Sequence, residues 1–248
     1  FWILDDLGAI QQSKGNLGAS VKIYSPKPTY RLSSVTIPEY FGDIPGLGRN
    51  PANGVSLDYY LKEKADTATI KLEILDASGK LIRSYTNKKD ENFKPWEGGP
   101  SPKQTIPAEA GINRFAWDFR TESLNGVPGV FVYGDYSGYR VAPGKYKARL
   151  TVKGQTSETD LEIISDPKVN ATTAEWTAQQ EFLKQTGEQF DELHNSVNNM
   201  RQVKKQIETL NESMKNNPDA KELIENGKEL IKKIDQWESN LIEPRSKN

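Results

Sequence analysis

The sequence predicts a small antiparallel β-sandwich followed by an antiparallel pair of α-helices. Three segments in the middle of the chain alternate apolar and polar residues, the period of two that is typical of half-buried strands. These segments are 70–85, 112–120 and 141–153. After Asp166 and Pro167 the apolar residues recur at intervals of three and four, which is typical of amphipathic helices. The change of period predicts a sheet domain followed by a helical one.

Shorter strands are predicted before these segments. Residues 8–54 are rich in Gly, Pro, Ser and Asn, so most of this stretch is expected to be loop or sheet edge. Within it, 21–24 is a short β-prone run that ends at a pair of prolines, and 55–61 shows better alternation. Both runs are predicted as the first strands of the sandwich.

A hairpin is predicted over 70–85. Ile70, Leu72 and Ile74 fall on one face of the first strand, and 76–79 supplies the turn. Gly79 can take the positive φ that such a turn requires, and 81–85 then returns as the partner strand. The following stretch, 87–103, carries charges and three prolines without any apolar period, and it is predicted to be a long solvated loop.

Three aromatic residues are predicted to anchor the core. Phe115, Trp117 and Phe119 alternate with polar residues and so share one face of their strand. Further along, Tyr146, Ala148, Leu150 and Val152 face inward in the same way; Gly154 ends that strand, and 161–164 completes a second hairpin.

Two helices are predicted to share an apolar seam, by which we mean the mostly apolar residues that recur every three or four positions along them. The break at 216–219 separates them, and Pro218 suits the first turn of the second helix, so the two are predicted to fold back on each other. Two helices on one seam bury little surface, so we expect a further partner there. The seam comprises Trp176, Gln179, Phe182, Leu183, Thr186, Phe190, Leu193, Val197, Met200, Val203, Ile207, Leu210 and Met214, then Leu223, Gly227, Leu230, Ile234, Trp237 and Leu241.

Composition excludes several kinds of site. The 248 residues carry a formal net charge of -1, so nothing indicates the basic face that nucleic acid requires. With no cysteine and a single histidine, the chain has no disulfide, no thiolate nucleophile and no site that needs two imidazoles. No apolar run is long enough to cross a membrane, and we expect no cofactor.

The order of these patterns resembles the C-terminal region of bacterial sortilin-like β-propeller proteins with BNR repeats, which are common in Bacteroidetes. The matching pieces are FWILDDL at 1–7, NPANGVSLDYYL at 50–61, the hairpin at 70–85, AGINRFAWDFR at 110–120, APGKYKARLTV at 142–152 and the helical tail. The central strands also resemble the Ig-like domain of the flagellar hook-capping protein, which implies an Ig-like or fibronectin-like sandwich.

The resemblance implies a location and a partner. It makes 1–20 an exit strand and linker from a preceding β-propeller domain, 21–166 the Ig-like sandwich and 167–248 the helical hairpin. It implies an exported, extracytoplasmic protein, secreted, periplasmic or at the cell surface. The expected function is a non-catalytic binding or structural region. The alternative is a part of a carbohydrate-active, glycoside hydrolase-like enzyme, in which these loops help to line a substrate cleft formed by the propeller.

Aromatic loop residues are the candidate ligand contacts, and no catalytic or metal-binding residue is predicted. Tyr133, Asp135, Tyr136 and Tyr139 cluster near two glycines, and Trp96 lies in a similar loop. Such loops can stack sugars, and Asp135 suggests a calcium ligand, although aromatic side chains more often serve packing. A second protein on the helical seam is the other expected partner.

Two further features are given ordinary structural interpretations. Asp5 and Asp6 are neighbours, whose side chains would point to opposite faces of a strand, so they are expected at a strand end or turn rather than in a shared site. His194 lies beside the seam with no second imidazole in the chain, and it is predicted to occupy a solvated helix face.

Overall fold

The computed structural model describes residues 6–13, 19–32, 52–65, 69–130 and 132–242. They divide between two compact units. The first unit takes its residues from 1–91, 103–122 and 139–181, and it holds the sheets. The second takes its residues from 92–102, 123–138 and 182–248, and it holds most of the helical pair.

The strands of the first unit form two sheets. The smaller sheet has the order β1-β3-β6, and the larger has the order β2-β8-β7-β4-β5. Every ladder is antiparallel except the one between β2 and β8. The strands are β1 (Val21–Ile23), β2 (Thr29–Arg31), β3 (Val55–Leu61), β4 (Ile70–Asp76), β5 (Leu81–Thr86), β6 (Gly111–Trp117), β7 (Gly144–Val152) and β8 (Gln155–Ser165).

One apolar core joins the two sheets. Leu57, Tyr59 and Trp117 of the smaller sheet belong to the same cluster of buried side chains as Leu72 and Leu150 of the larger sheet. Along β4, β6 and β7 the buried positions alternate with exposed or half-buried neighbours, as the period of two predicts, whereas in β3 Asp58 is buried between Leu57 and Tyr59. The sheet domain predicted from the sequence is therefore present.

Both predicted hairpins are confirmed. In the β4–β5 hairpin Gly79 has φ 88°, and the register shifts at Leu75, which is the signature of a β-bulge. The β7–β8 hairpin turns through Lys153 and Gly154, both at positive φ, the arrangement of a type I′ turn. Strand β8 begins at Gln155, six residues before the predicted start at 161. The sequence pattern missed this part of the strand because residues 155–160 are all polar and show no apolar alternation.

Phe115, Trp117 and Phe119 are buried as predicted, but Phe119 lies beyond the end of the strand. Strand β6 ends at Trp117, and Phe119 has φ 64°, which is unusual for a residue with a Cβ atom. Trp117 Nε1 donates to the carbonyl of Arg120 at 2.9 Å, which closes this turn. The ring of Trp117 packs between Phe119 and Tyr146, with centroids 6.1 and 5.9 Å away.

Two elements were not predicted. A short helix α1 (Gly8–Gln12) and the edge strand β2 both lie in the stretch expected to be mostly loop or sheet edge. Of the exit strand and linker expected over 1–20, residues 1–5 and 14–18 lie outside the described ranges, while Asp6 and Leu7 precede α1 and belong to no strand. The start of NPANG, residues 50 and 51, also lies outside them.

The helical pair is confirmed. Helix α2 spans Thr173–Met214, a 3₁₀ turn covers Pro218–Ala220 and α3 spans Lys221–Leu241. Helix α2 begins with a capping box, in which the Thr172 N–H donates to Glu175 Oε2 at 2.7 Å and the Glu175 N–H donates to Thr172 Oγ1 at 3.3 Å. None of the described helices is apolar enough along its length to cross a membrane.

Two ion pairs fix the antiparallel register of α2 and α3. Arg201 Nη2 lies 2.6 Å from Glu238 Oε1, and Lys204 Nζ lies 2.5 Å from Asp235 Oδ1. Further along, a Cβ built on Gly227 would lie 2.6 Å from Asn211 Oδ1, so a glycine there permits the close approach of the two helices.

Candidate functional site

The second unit is built around a loop segment that lies along α2. Four polar side chains of α2, spaced three, four and three residues apart, bind the backbone of residues 125–128. This spacing places all four on one face of the helix. They are Asp191, His194, Asn198 and Arg201.

Each contact satisfies a backbone group of the segment. The Asn125 N–H donates to Asp191 Oδ1 at 2.6 Å, and Asn198 Nδ2 donates to the Gly126 carbonyl at 3.0 Å. Arg201 donates to the Pro128 carbonyl and also pairs with Glu238 of α3. In a loop that belongs to no sheet or helix, these side chains supply backbone hydrogen bonds that regular secondary structure would otherwise provide.

His194 is buried, which corrects the sequence interpretation. Its side chain is only 3% exposed, and Nδ1 lies 2.7 Å from the Asn125 carbonyl oxygen. Because a carbonyl only accepts, Nδ1 carries the proton in this bond. The prediction of a solvated helix face was wrong, since the segment that covers His194 comes from a distant part of the sequence.

Tyr136 packs against the same helix. It is 2% exposed, and its ring centroid lies 6.0 Å from that of Phe190 and 5.9 Å from that of His194. The Phe190 and His194 rings are 4.0 Å apart, so the three form one aromatic cluster. Burial raises the pKa of Tyr136. Of the two interpretations of this tyrosine, packing fits its position, with the contact made to a helix.

The other residues of the aromatic loop are not gathered into one site. Tyr133 is 98% exposed, and Asp135 is exposed with Oδ1 accepting from the Ser137 N–H at 2.7 Å. Tyr139 belongs to the first unit, where its carbonyl accepts from the Thr121 N–H at 3.0 Å. Tyr133 is therefore the most accessible of the predicted contacts.

Trp96 packs within the second unit. A Cβ built on Gly126 would lie 2.7 Å from Trp96 Cζ2, and one built on Gly99 would lie 2.5 Å from Trp96 Cε2. The half-buried indole therefore lies directly on these two glycines, and Nε1 has no hydrogen-bond acceptor among the described residues. The loop at 87–103 contains neither helix nor strand, as predicted, yet it holds this packed side chain.

Of the neighbouring acidic residues Asp5 and Asp6, the structure describes only Asp6. Asp5 lies outside the described residues, and Asp6 has φ 59° in the turn before α1. Asp6 Oδ1 accepts from the Gly8 N–H at 3.3 Å, and Oδ2 lies 3.5 Å from Arg114 Nη2. This geometry is that of a turn residue. Over the described ranges, no three carboxylate or imidazole groups lie together as a metal ion would need.

A second surface feature is a cleft of about 200 Å³ in the first unit, at the ends of β3 and β7. Two of its lysines have an acidic neighbour, since Lys153 Nζ lies 3.9 Å from Glu63 and Lys64 Nζ lies 3.3 Å from Glu109. Exposed pairs of this kind are typical of a solvated surface.

Neither a protein-family model nor a curated protein matches the chain.

Proposed function

We propose that the chain is a non-catalytic binding or structural region of an exported, extracytoplasmic bacterial protein, in which an Ig-like or fibronectin-like sandwich follows a β-propeller. One observation carries the non-catalytic part. The space between the two sheets is filled by large side chains, with Trp117, Tyr59 and Phe119 fully buried. Because side chains fill the space between the sheets, we expect this region to act through its outer surface, as a region that makes contacts does.

The propeller partner and the export rest on the resemblance alone. The test is to determine what precedes Phe1 in the native gene product. We expect a β-propeller, with a secretion signal before it. A coding sequence that starts close to Phe1, or one that precedes it with an unrelated fold, would contradict this part of the proposal.

The non-catalytic assignment has its own assay. The purified chain is incubated with chromogenic aryl glycosides and with oligosaccharides, and product is measured over hours. We expect no turnover above that of a heat-denatured sample. Hydrolysis that co-purifies with the chain would favour the alternative, a part of a carbohydrate-active enzyme.

A glycan contact is a second candidate function, and the exposure of Tyr133 favours it. A tyrosine ring that is 98% exposed is available to stack on a sugar face. Its loop is held in place through Tyr136, so the ring would be presented from a fixed base.

Calorimetric titration with a panel of oligosaccharides tests this function. We expect Tyr133→Ala to abolish any binding, and Tyr30→Ala, at an exposed tyrosine of β2, to leave it unchanged. Equal affinity in wild type and Tyr133→Ala, or no binding by wild type, would refute the role of this loop.

A further inference from the structure

The helical pair leaves a set of large apolar side chains in solvent. Six of them are between 42% and 53% exposed. Exposed leucines are ordinary when scattered, but a contiguous group indicates an interaction surface. We call this group the open face; it comprises Val203, Leu210, Leu223, Leu230, Trp237 and Leu241.

These residues lie on one side of the helical pair. The register set by the Arg201–Glu238 ion pair places Val203 within one residue of the level of Trp237, and Leu210 within one residue of the level of Leu230. At about 100° per residue, Val203 and Leu210 lie on the side of α2 away from Arg201 and the bound 125–128 segment. Leu230 and Trp237 lie on the corresponding side of α3.

The spacing along each helix is that of a helix packed on other helices. Leu223, Leu230 and Trp237 repeat every seven residues on α3, and Val203 and Leu210 do so on α2. A repeat of seven keeps a stripe of residues facing a neighbour as the helices supercoil. The open face therefore has the geometry of half of a four-helix bundle.

A groove of about 500 Å³ lies at one edge of the open face, where Leu210 borders it. Its other lining residues are polar: Gln202, Lys205, Gln206, Thr209 and Ser213. At about 100° per residue, Lys205 and Thr209 lie toward the Arg201 side of α2, so the groove belongs to the rim of the face and not to its centre. An apolar centre with a polar rim is the usual anatomy of a protein–protein interface.

The size of the face suits a dimer. Six side chains, each about half exposed, present on the order of 500 Å² of apolar surface. Two copies packed face to face would bury about twice that, on the order of 1,000 Å², before the polar rim is added, which reaches the lower end of specific interfaces. Two helices that pack only on each other leave these six side chains in water, which favours a further partner on the open face.

We propose that the open face binds a second copy of this chain across a two-fold axis, so that the two helical pairs form a four-helix bundle. The proposal does not depend on the function proposed above. Each copy contributes the same residues, as a two-fold interface requires. Interfaces at the lower end of the specific range are typically weak, so we expect a dissociation constant on the order of micromolar.

Sedimentation velocity of the full chain from about 1 to 200 μM tests the proposal against that affinity. We expect a concentration-dependent shift from monomer to dimer in wild type. Leu230→Glu places a charge in the apolar interface and should weaken the dimer on the order of 100-fold. Ser239→Glu, at an exposed position nine residues from Leu230 and so on the far side of α3, should leave it unchanged. A wild type that stays monomeric at the highest concentration overturns the proposal.

Single cysteines give a second measurement that does not rely on a destabilising charge. The chain contains no cysteine, so each engineered thiol is unique. We expect oxidation to link two copies for at least one of Val203→Cys, Leu210→Cys and Leu230→Cys. The control Glu225→Cys, on the opposite side of α3, should give no crosslinked dimer. Equal linkage at Glu225→Cys, or none at the open face, would refute the two-fold arrangement.

Discussion

His194 Nδ1 lies 2.7 Å from the carbonyl oxygen of Asn125, a residue 69 positions earlier in the chain. This bond joins helix α2 to a loop segment, and the buried ring of His194 also packs against the ring of Phe190. His194, the single histidine of the protein, thus joins two separate parts of the second unit by a hydrogen bond and by ring packing.

We expect His194→Ala to destabilise the second unit by about 2 kcal/mol, because it removes a part-buried hydrogen bond and a buried ring that packs against Phe190. Urea denaturation followed by circular dichroism measures the change. Asn195→Ala, at the exposed neighbouring position, is the matched control and should alter stability by less than about 0.5 kcal/mol. Equal stability of the two variants would show that the Asn125 contact contributes nothing.

Two glycine substitutions should have opposite effects. Gly126→Ala would force its Cβ against Trp96 and against Pro100 Cδ, which is 2.9 Å away, so it should cost at least about 1 kcal/mol. Gly187→Ala meets only Leu124 Cδ2 at 3.5 Å within a helix, so it should stabilise by about 0.5 to 1 kcal/mol. Thermal unfolding of both variants provides the comparison, and a stabilised Gly126→Ala would contradict the close packing of Trp96.

The turn between β7 and β8 offers a third comparison. Lys153 has φ 48°, which asparagine adopts more readily, so Lys153→Asn should stabilise by a few tenths of a kcal/mol. Gly154 has φ 80°, and Gly154→Ala should cost about 1 kcal/mol. Denaturant midpoints measured on the two variants should move in opposite directions. A shift of both midpoints in the same direction would show that these φ values do not limit the turn.

The pH dependence of stability should show a loss in alkali. Burial raises the pKa of Tyr146 to about 12, and its hydroxyl donates to the Ala142 carbonyl at 2.6 Å. Because the folded pKa lies above the ordinary 10.0, this stabilisation is complete below pH 10 and falls as the pH rises toward 12. Burial raises the pKa of Tyr59 and Tyr85 in the same direction.

Denaturant titrations between pH 8 and 12 measure this loss, and ultraviolet absorbance reports tyrosinate formation. In Tyr146→Phe the alkaline loss should be smaller than in wild type, since one of the groups that titrates on unfolding is gone. An identical pH profile for the variant would exclude a contribution from Tyr146.

The parts of the fold that were predicted correctly depend on local patterns. Alternation over 70–75 and the positive φ at Gly79 are properties of a few adjacent residues, and so is the break before Pro218. The parts that were missed depend on distant partners. Strand β2 pairs with β8 across more than a hundred residues, and nothing in its three residues reveals that ladder.

The candidate site shows the same limit more sharply. Tyr133 and Tyr136 have similar neighbours in sequence, yet one is exposed and the other is buried against α2. Asp191, Asn198 and Arg201 have the polarity of solvated helix positions, but their partners are backbone groups. The one available signal was the spacing of three, four and three residues that they share with His194, which follows a polar stripe along α2.

The second unit takes its residues from three separate stretches of chain, and this affects how it is made. Val127 and Val130 leave the ribosome before Val197, the helix residue that they pack against. At roughly 5 to 20 residues per second, they wait for several seconds without that cover. For the same reason, a fragment that starts at residue 167 carries both helices but lacks Trp96 and the 125–128 segment. Such a fragment would expose the aromatic face of α2 and should aggregate or remain loosely folded.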